Sequence, residues 1–322
     1  MVKIGSVNID TNIFLAPLAG CTDLAFRLIA REHGARFCFF EMVDANTFFH
    51  GTYRKTLMTL KTTSEDTPVA AQLLGSDAGM MVVAAKRLLD VVNVPFIDVN
   101  AACPARKVIR KKSGAYLLQD PAALGKIVKE MASSLPVPVT VKMRLGHTSK
   151  DTPHIVKVAE RCETSGASAL FVHGRTGADG YKGDIDYAAI RRIKDAVKVP
   201  VFGVGNIWTP EMAKRMFDET GCDGICVARG ALGNPWLFKR IERYLETGDI
   251  IPEPGVETVK KILKRHLAYI NDLKTVPGRS MVGYMRKVVM WYIRGFPNAR
   301  RIREKVCSVK TYDGMLALVD TA

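Results

Sequence analysis

The sequence predicts an α/β fold, a closed (β/α)8 TIM barrel followed by a small C-terminal helical bundle. Three observations predict it. Eight short apolar runs rich in Val, Ile and Phe alternate with longer segments of helical period. The ends of these runs recur about every 25 to 31 residues, with one gap of about 44 after the fourth, a spacing suited to parallel strands joined by helices. No G-x-G-x-x-G follows any run, which disfavours a doubly wound dinucleotide-binding sheet.

Taken in order, the predicted strands are Ile13–Ala16, Phe37–Val43, Val69–Leu74, Phe96–Val99, Val139–Met143, Ala169–His173, Val201–Gly203 and Gly224–Ala228. Between them, Met80, Ala84 and Leu88 mark one helix face, and Leu124, Ile127, Val128 and Met131 mark another. Thr22-Asp23, Ser76-Asp77, Asp120-Pro121, Thr152-Pro153 and Thr209-Pro210 supply N-caps and first-turn prolines. Gly34, Gly166 and Gly221 suit helix C-termini. The long fourth gap holds an extra loop, Ala101–Gln119, expected to be a structureless binding loop or lid at the catalytic face. Pro252-Glu253-Pro254 reads as a linker, so residues 1–250 form the barrel and residues 255–322 a basic helical domain. That domain contains Val259–Leu273 and Met281–Ile293, interrupted at Pro277-Gly278 and Gly295-Phe296-Pro297.

Composition narrows the function classes. Of 322 residues, 48% are apolar and 25% charged, which excludes wholesale disorder. The longest charge-free runs, Thr11–Thr22 and Val199–Pro210, have twelve residues each, too few for a membrane span of about 18 or more. The start, MVKIGSVNID, has no apolar signal core, and seven scattered cysteines read as reduced thiols, so a cytoplasmic protein is expected. The net charge of +15 points to a polyanionic partner. It is concentrated: residues 255–322 hold 14 Lys+Arg against 5 Asp+Glu.

The C-terminal ends of barrel strands are where chemistry is expected. There the sequence places Glu41, Gln72, Asn100, Lys142, His173, Asn206 and Arg229, with an APLAG turn, Ala16–Gly20, after the first strand. A buried Lys142 is expensive unless it meets an anion or an electron-rich ring. The Gly203–Asn206 and Ala228–Gly230 turns occupy the usual phosphate position of a barrel, and read equally as tight turns that need glycine. Cys103 opens the extra loop, where a thiol can donate a proton, act as a nucleophile or be inert. The neighbouring Arg106, Lys107, Arg110, Lys111 and Lys112 form either a solvated face or a path for a phosphate-bearing substrate. Cys222 and Cys226 lack a second pair, so no metal is expected, and Cys21, Cys38, Cys162 and Cys307 are expected to pack.

APLAG-x-TD (Ala16–Asp23), AAQLLG around Gln72, DVNAACPARKV (Asp98–Val108), VKMR (Val141–Arg144), HGRT (His173–Thr176), GVGN and ARGALGNPW together resemble the tRNA-dihydrouridine synthase family. The C-terminal RKVVMWYIRGFPNARRIR is similar to that family's helical tRNA-binding domain, and the bacterial B-type branch is the nearest in pattern. The resemblance implies reduction of uridine to 5,6-dihydrouridine in the tRNA D-loop, with FMN as cofactor and NADPH as reductant. It implies that Pro17, Leu18 and Ala19 line the flavin, that Gln72 and Lys142 bond its polar edge, and that His173, Val204, Gly205, Asn206, Ala228 and Arg229 hold its ribityl phosphate. Asn100 would face the uracil amide edge, Arg175, Arg106 and Lys107 would contact substrate, and Cys103 would protonate C5 after hydride reaches C6. Lys142 would favour the anionic reduced flavin. The chain departs from the family pattern at Ala101-Ala102, before Cys103, and at Ser113–Tyr116.

Two other readings compete. One is an FMN-dependent dehydrogenase of a free pyrimidine, against which the basic C-terminal segment speaks. The other is a non-catalytic tRNA-binding protein, against which Cys103, Lys142 and the two phosphate turns speak. Neither a membrane nor a protein partner is called for.

Overall fold

The computed structural model describes residues 1–50, 53–274 and 281–322; the Pro277-Gly278 break lies outside them. Val2–Ile4 (β1) and Val7–Ile9 (β2) form an antiparallel hairpin that sequence reading missed, although its alternating apolar residues flank a Gly-Ser turn. The remaining strands are Ile13–Leu15 (β3), Phe37–Phe39 (β4), Val43–Asp44 (β5), Val69–Leu74 (β6), Ile97–Ala101 (β7), Val139–Arg144 (β8), Ala167–His173 (β9), Val201–Val204 (β10) and Gly224–Val227 (β11). Among the described residues, β3, β4 and β6 to β11 pair in parallel and return to β3, closing an eight-stranded barrel. The short β5 pairs only with β6.

The predicted run Phe37–Val43 is therefore two strands. Between them Phe40 still donates its N–H to the Ala70 carbonyl (2.9 Å), but Glu41 turns its carboxylate to the Gly20 N–H and the chain leaves the ladder.

Side-chain alternation sorts the strands into two apolar layers. Residues of one parity, including Phe14, Phe37, Phe39, Phe96, Phe171 and Phe202, fill the barrel interior, with ring pairs such as Phe14–Phe37 at 4.2 Å and Phe171–Phe202 at 4.6 Å. Val2, Ile4 and Ile9 of the hairpin join this cluster. The other parity, such as Leu15, Cys38, Ala71, Val99, Val141 and Val172, packs outward against the helices.

Leu24–Glu32 (α1) follows β3, and Ala45–His50 (α2) and Tyr53–Thr59 (α3) follow β5. Around the rest of the barrel run Ala78–Leu89 (α4), Arg106–Ile109 (α5), Pro121–Ser134 (α6), Thr152–Thr164 (α7), Tyr187–Ala196 (α8), Pro210–Thr220 (α9) and Leu237–Thr247 (α10). Asp23, Asp77, Asp120, Asp151, Asp186 and Thr209 cap α1, α4, α6, α7, α8 and α9 through side-chain oxygens. The α7 cap is Asp151 rather than Thr152, which is already helical. In α4 the core-facing methionine is Met81 rather than Met80.

The fourth gap is not a structureless loop. It contains α5 and a 3-10 turn, Gly114–Gln119, whose Ala115 donates its N–H to the Cys103 carbonyl (3.1 Å).

Val256–Leu273 (α11), Met281–Tyr292 (α12), Ala299–Ser308 (α13) and Tyr312–Asp320 (α14) form the helical C-terminal part. Its core residues, among them Leu263, Ile270, Val288 and Val306, belong to the same apolar cluster as the barrel's outer layer. The preceding Pro-rich stretch is tied down as well: Arg240 donates to the Ile251 carbonyl (2.7 Å) and pairs with Glu253 (2.9 Å). At the junction His266 lies 5.8 Å from the Phe26 ring, and its Nδ1 faces the Tyr292 hydroxyl at 3.1 Å.

Burial holds the His266 imidazole at about 3, with Lys287 adding to the effect. The unfolded chain then takes up the proton first, so this group's contribution to stability is present above about 6.5 and declines as pH falls toward 3. Thermal unfolding should show a midpoint that drops between pH 7 and 4, and His266→Phe should make that drop shallower; an unchanged slope would remove His266 as its cause.

Candidate active site

The upper end of each inner row opens into a cleft at the C-terminal mouth of the barrel. Pro17, Leu18, Ala19, Gln72, Asn100, Cys103, Lys142, His173, Val204, Gly205, Asn206, Ala228 and Arg229 all line it. The geometry thus gathers residues spread over more than 200 positions of the chain.

The turn after β3 is fixed from three sides. Leu18 accepts from the N–H groups of Cys21 and Thr22, Glu41 accepts from Gly20 N–H, and Lys287 of α12 donates to the Gly20 carbonyl. Tyr284 adds a hydrogen bond to the Cys21 carbonyl (3.3 Å). The helical C-terminal part therefore touches the site's rim directly, a link that sequence reading did not foresee.

Register aligns Gln72 with Asp98 across β6 and β7, and Asp98 with Thr140 across β7 and β8. Gln72 Nε2 donates to Asp98 Oδ2 and Thr140 Oγ1 to Asp98 Oδ1, both at 2.7 Å. Asn100 Nδ2 donates to Gln72 Oε1 (2.7 Å), and Asn100 Oδ1 accepts from Ala102 N (3.0 Å) and Cys103 N (2.9 Å). Burial pushes the Asp98 carboxyl up to about 7, while the Gln72 and Thr140 bonds and Lys142 pull it down.

Lys142 sits one inner position above Thr140 and is 9% exposed. Among the described residues its ammonium has no hydrogen bond or ion pair, and burial lowers its pKa. Arg229 likewise lacks a carboxylate partner; its guanidinium stacks over Tyr181 at 4.3 Å and Trp208 at 5.5 Å. His173 is held neutral, its pKa driven far down by burial and by Arg144, Lys142, Arg175 and Arg229. Two unpaired cations beside a neutral imidazole suit an anionic ligand.

The two turns after β10 and β11 fit a phosphate. A Cβ on Gly230 would lie 1.8 Å from the Ile207 carbonyl oxygen, so only glycine lets the turns touch. Gly205 has φ +130, and a Cβ there would meet Ile185 at 2.3 Å and His173 at 3.0 Å. Asn206 adopts φ 50, and its Oδ1 accepts from Arg175.

Several sequence readings change. Arg175, expected to contact substrate, is 2% exposed and off the cleft wall; it bonds the Gly183 carbonyl and Asn206, buttressing the Gly205-Asn206 turn from behind. Lys107 is exposed on α5 and lines neither the cleft nor the adjoining groove, whose wall instead includes Arg106, Arg110 and His147. The Asn100 carbonyl and both ends of the Gln72 amide already have protein partners. Cys307, expected to pack, is exposed, whereas Cys38, Cys162, Cys222 and Cys226 are buried.

Sequence reading also passed over Arg144, Asp98 and Thr140, although their parity with Asn100 and Lys142 marks them as inward-facing. Arg144 donates to the carbonyls of Ala102 (2.8 Å), Thr176 (2.7 Å) and Gly180 (2.9 Å), joining the loops after β7 and β9. Tyr181 and Trp208 carried no periodic signal because they stand on loops. No three His, Cys, Asp or Glu side chains among the described residues group as a metal site would require, and no helix there is long and apolar enough to cross a membrane.

An unpaired buried ammonium weakens the ligand-free protein. Lys142→Met should raise its thermal stability by about 1 kcal/mol or more, measured by calorimetry; a loss of stability would mean that the ammonium is already satisfied.

Solved structures share the barrel. The histamine dehydrogenase from Rhizobium sp. 4-9 superposes with a TM-score of 0.59 over 83% of this chain and 50% of its own, at 14% identity. The old yellow enzyme homologue from Zymomonas mobilis superposes with a TM-score of 0.57 over 80% of this chain and 94% of its own, at 13% identity. Sequence relatives reach further. The tRNA-dihydrouridine synthase B of Pseudomonas aeruginosa is 38% identical over 99% of this chain and 95% of its own. A probable tRNA-dihydrouridine synthase of Rickettsia bellii is 36% identical over 95% and 93%. The family model for dihydrouridine synthase matches residues 14–322, so this chain belongs to the dihydrouridine synthase family.

Proposed function

We propose that this chain is a flavin-dependent tRNA-dihydrouridine synthase that reduces uridine in the tRNA D-loop to 5,6-dihydrouridine. The observation that carries the reading is the convergence, in one barrel-mouth cleft, of the Cys103 thiol with two cations that form no ion pair among the described residues, Lys142 and Arg229.

FMN is the flavin that fits best, because the turns at Gly205-Asn206 and Ala228-Arg229 and the Arg229 guanidinium make one compact anion site, enough for a single terminal phosphate. Pro17, Leu18 and Ala19 would flank its ring, with Gln72 and Lys142 at the polar edge. When bound and reduced by NADPH, FMN supplies the hydride that C6 of uracil accepts.

The protein's part is positioning and proton transfer. Uracil C6 is electrophilic through conjugation with the C4 carbonyl, so negative charge spreads toward C5 and O4 as the hydride arrives. Cys103 Sγ–H gives its proton to C5, and the second N–H of Asn100, which meets only the weakly accepting Met42 sulfur at 3.4 Å, would turn to a carbonyl of the base. Asn100 and Ala115 fix the backbone of Cys103 from both sides, which keeps the acid in place. The neutral His173 leaves the positive charge with Lys142 and Arg229.

To enter the cleft the uridine must leave its stack. Residues 255–322, rich in Lys and Arg, would hold tRNA phosphates while Arg106 and Arg110 meet the strand beside Cys103. On this reading the enzyme works on tRNA in the cytoplasm and requires no protein partner.

Cys103→Ala should keep the yellow flavin spectrum and tRNA affinity while dihydrouridine formation falls by about a hundredfold or more. Undiminished product would remove the thiol from the reaction, and a wild-type protein that takes up no flavin would sink the reading altogether.

A further inference from the structure

The hydrogen-bond chain across β6, β7 and β8 has a direction. The N–H groups of Ala102 and Cys103 can only donate, so the Asn100 atom facing them must be its oxygen, which they reach at 3.0 and 2.9 Å. The Asn100 nitrogen then faces Gln72 at 2.7 Å, and Gln72 must answer with its oxygen. That leaves the Gln72 nitrogen facing position 98, where a hydrogen-bond acceptor is required. The Asp98 carboxylate supplies one, and its second oxygen accepts from Thr140.

We propose that Asp98 is a positioning residue: as the buried acceptor at the far end of the chain, it anchors the Gln72–Asn100 amide pair in the polarity that the Ala102 and Cys103 N–H groups require, and thereby holds the Cys103 segment in place.

The chain fixes what the cleft meets. With its carbonyl occupied twice, Asn100 has a second N–H held only by the Met42 sulfur (3.4 Å), and Gln72 retains an N–H beyond the one given to Asp98. Both amides therefore present donors. Without an acceptor at position 98, the Gln72 N–H that faced it is left buried and unpaired, and the Gln72 amide loses the anchor that holds its oxygen toward Asn100. Asn100 is then free to swing, and a swing would set its NH2 against the two backbone N–H groups. Asp98 and Gln72 are 0% and 1% exposed, so water does not replace a missing link cheaply.

The consequence for catalysis rests on the proposed role of Cys103, but the positioning itself can be read without substrate. In Asp98→Asn the new amide can accept from Gln72 and donate to the Thr140 hydroxyl, so polarity survives while the charge is lost. In Asp98→Ala the acceptor is gone. The readout is the rate of iodoacetamide alkylation of Cys103 in the full-length protein, resolved by peptide mass spectrometry, with exposed Cys307 as internal reference. Asp98→Asn should alkylate within about twofold of wild type, whereas Asp98→Ala should differ by about tenfold or more, with Cys307 unchanged. On tRNA, Asp98→Ala should lower kcat and leave KM in place, and Asp98→Asn should restore kcat.

Asp98→Asn behaving like Asp98→Ala would overturn the proposal in favour of a role for the charge. Wild-type alkylation in Asp98→Ala would overturn it by showing that Cys103 is held without the chain. Should Asp98→Ala not fold, Gln72→Met breaks the same chain one link later, and its alkylation rate decides in the same way. A wild-type protein that forms no dihydrouridine would count against the functional reading alone, since alkylation is measured without tRNA or reductant.

Discussion

Closure of the parallel barrel is the constraint on which the rest depends. Once β11 pairs with β3, every strand must send alternate side chains inward, and a one-residue slip would exchange the two layers. The inner rows begin at the hairpin end with phenylalanines and end at the mouth with polar and titratable groups. Phe96, Asp98 and Asn100 show the progression on a single strand edge, and Phe171 and His173 show it on another. The Phe cluster gives the polar residues above it a rigid floor.

The polar layer combines two opposed electrostatic strategies. Around Asp98, donors and acceptors are matched along one directed chain, which gives the Cys103 segment a defined position. A short distance away, Lys142 and Arg229 form no ion pair, which costs stability and makes the site receptive to an anion. On the proposed function, the first arrangement would position a proton donor and the second would bind a charged cofactor. Arg144 and Lys287 connect these sites to the loops after β9 and to the helical C-terminal part, so the barrel mouth and the basic helices share a mechanical frame.

Much of this was legible in the sequence, for identifiable reasons. The barrel strands were visible because each is a short apolar run buried on both faces, and the site residues were visible because they interrupt those runs at their ends. The hairpin at Val2–Ile9 was missed because its strands are three residues long. The Phe37–Val43 run misled because apolarity does not reveal where a ladder ends; the Glu41–Gly20 contact decides that. Arg175 misled for a related reason. Its neighbour His173 faces the mouth, but the chain turns at Gly174 and sends Arg175 behind the Gly205-Asn206 turn. Asp98 and Thr140 lie one step deeper than the strand ends, and only register across three strands shows that they meet.

The central claim is that this cleft reduces a uridine presented by tRNA. It is tested most directly by digesting an unmodified tRNA transcript to nucleosides after incubation with the flavin-loaded protein and NADPH, and analysing the products by mass spectrometry. The account predicts a uridine-derived nucleoside heavier by two hydrogens, formed from tRNA and not from free uridine under the same conditions. A transcript left unchanged by flavin-loaded protein, or equal conversion of free uridine, would contradict it.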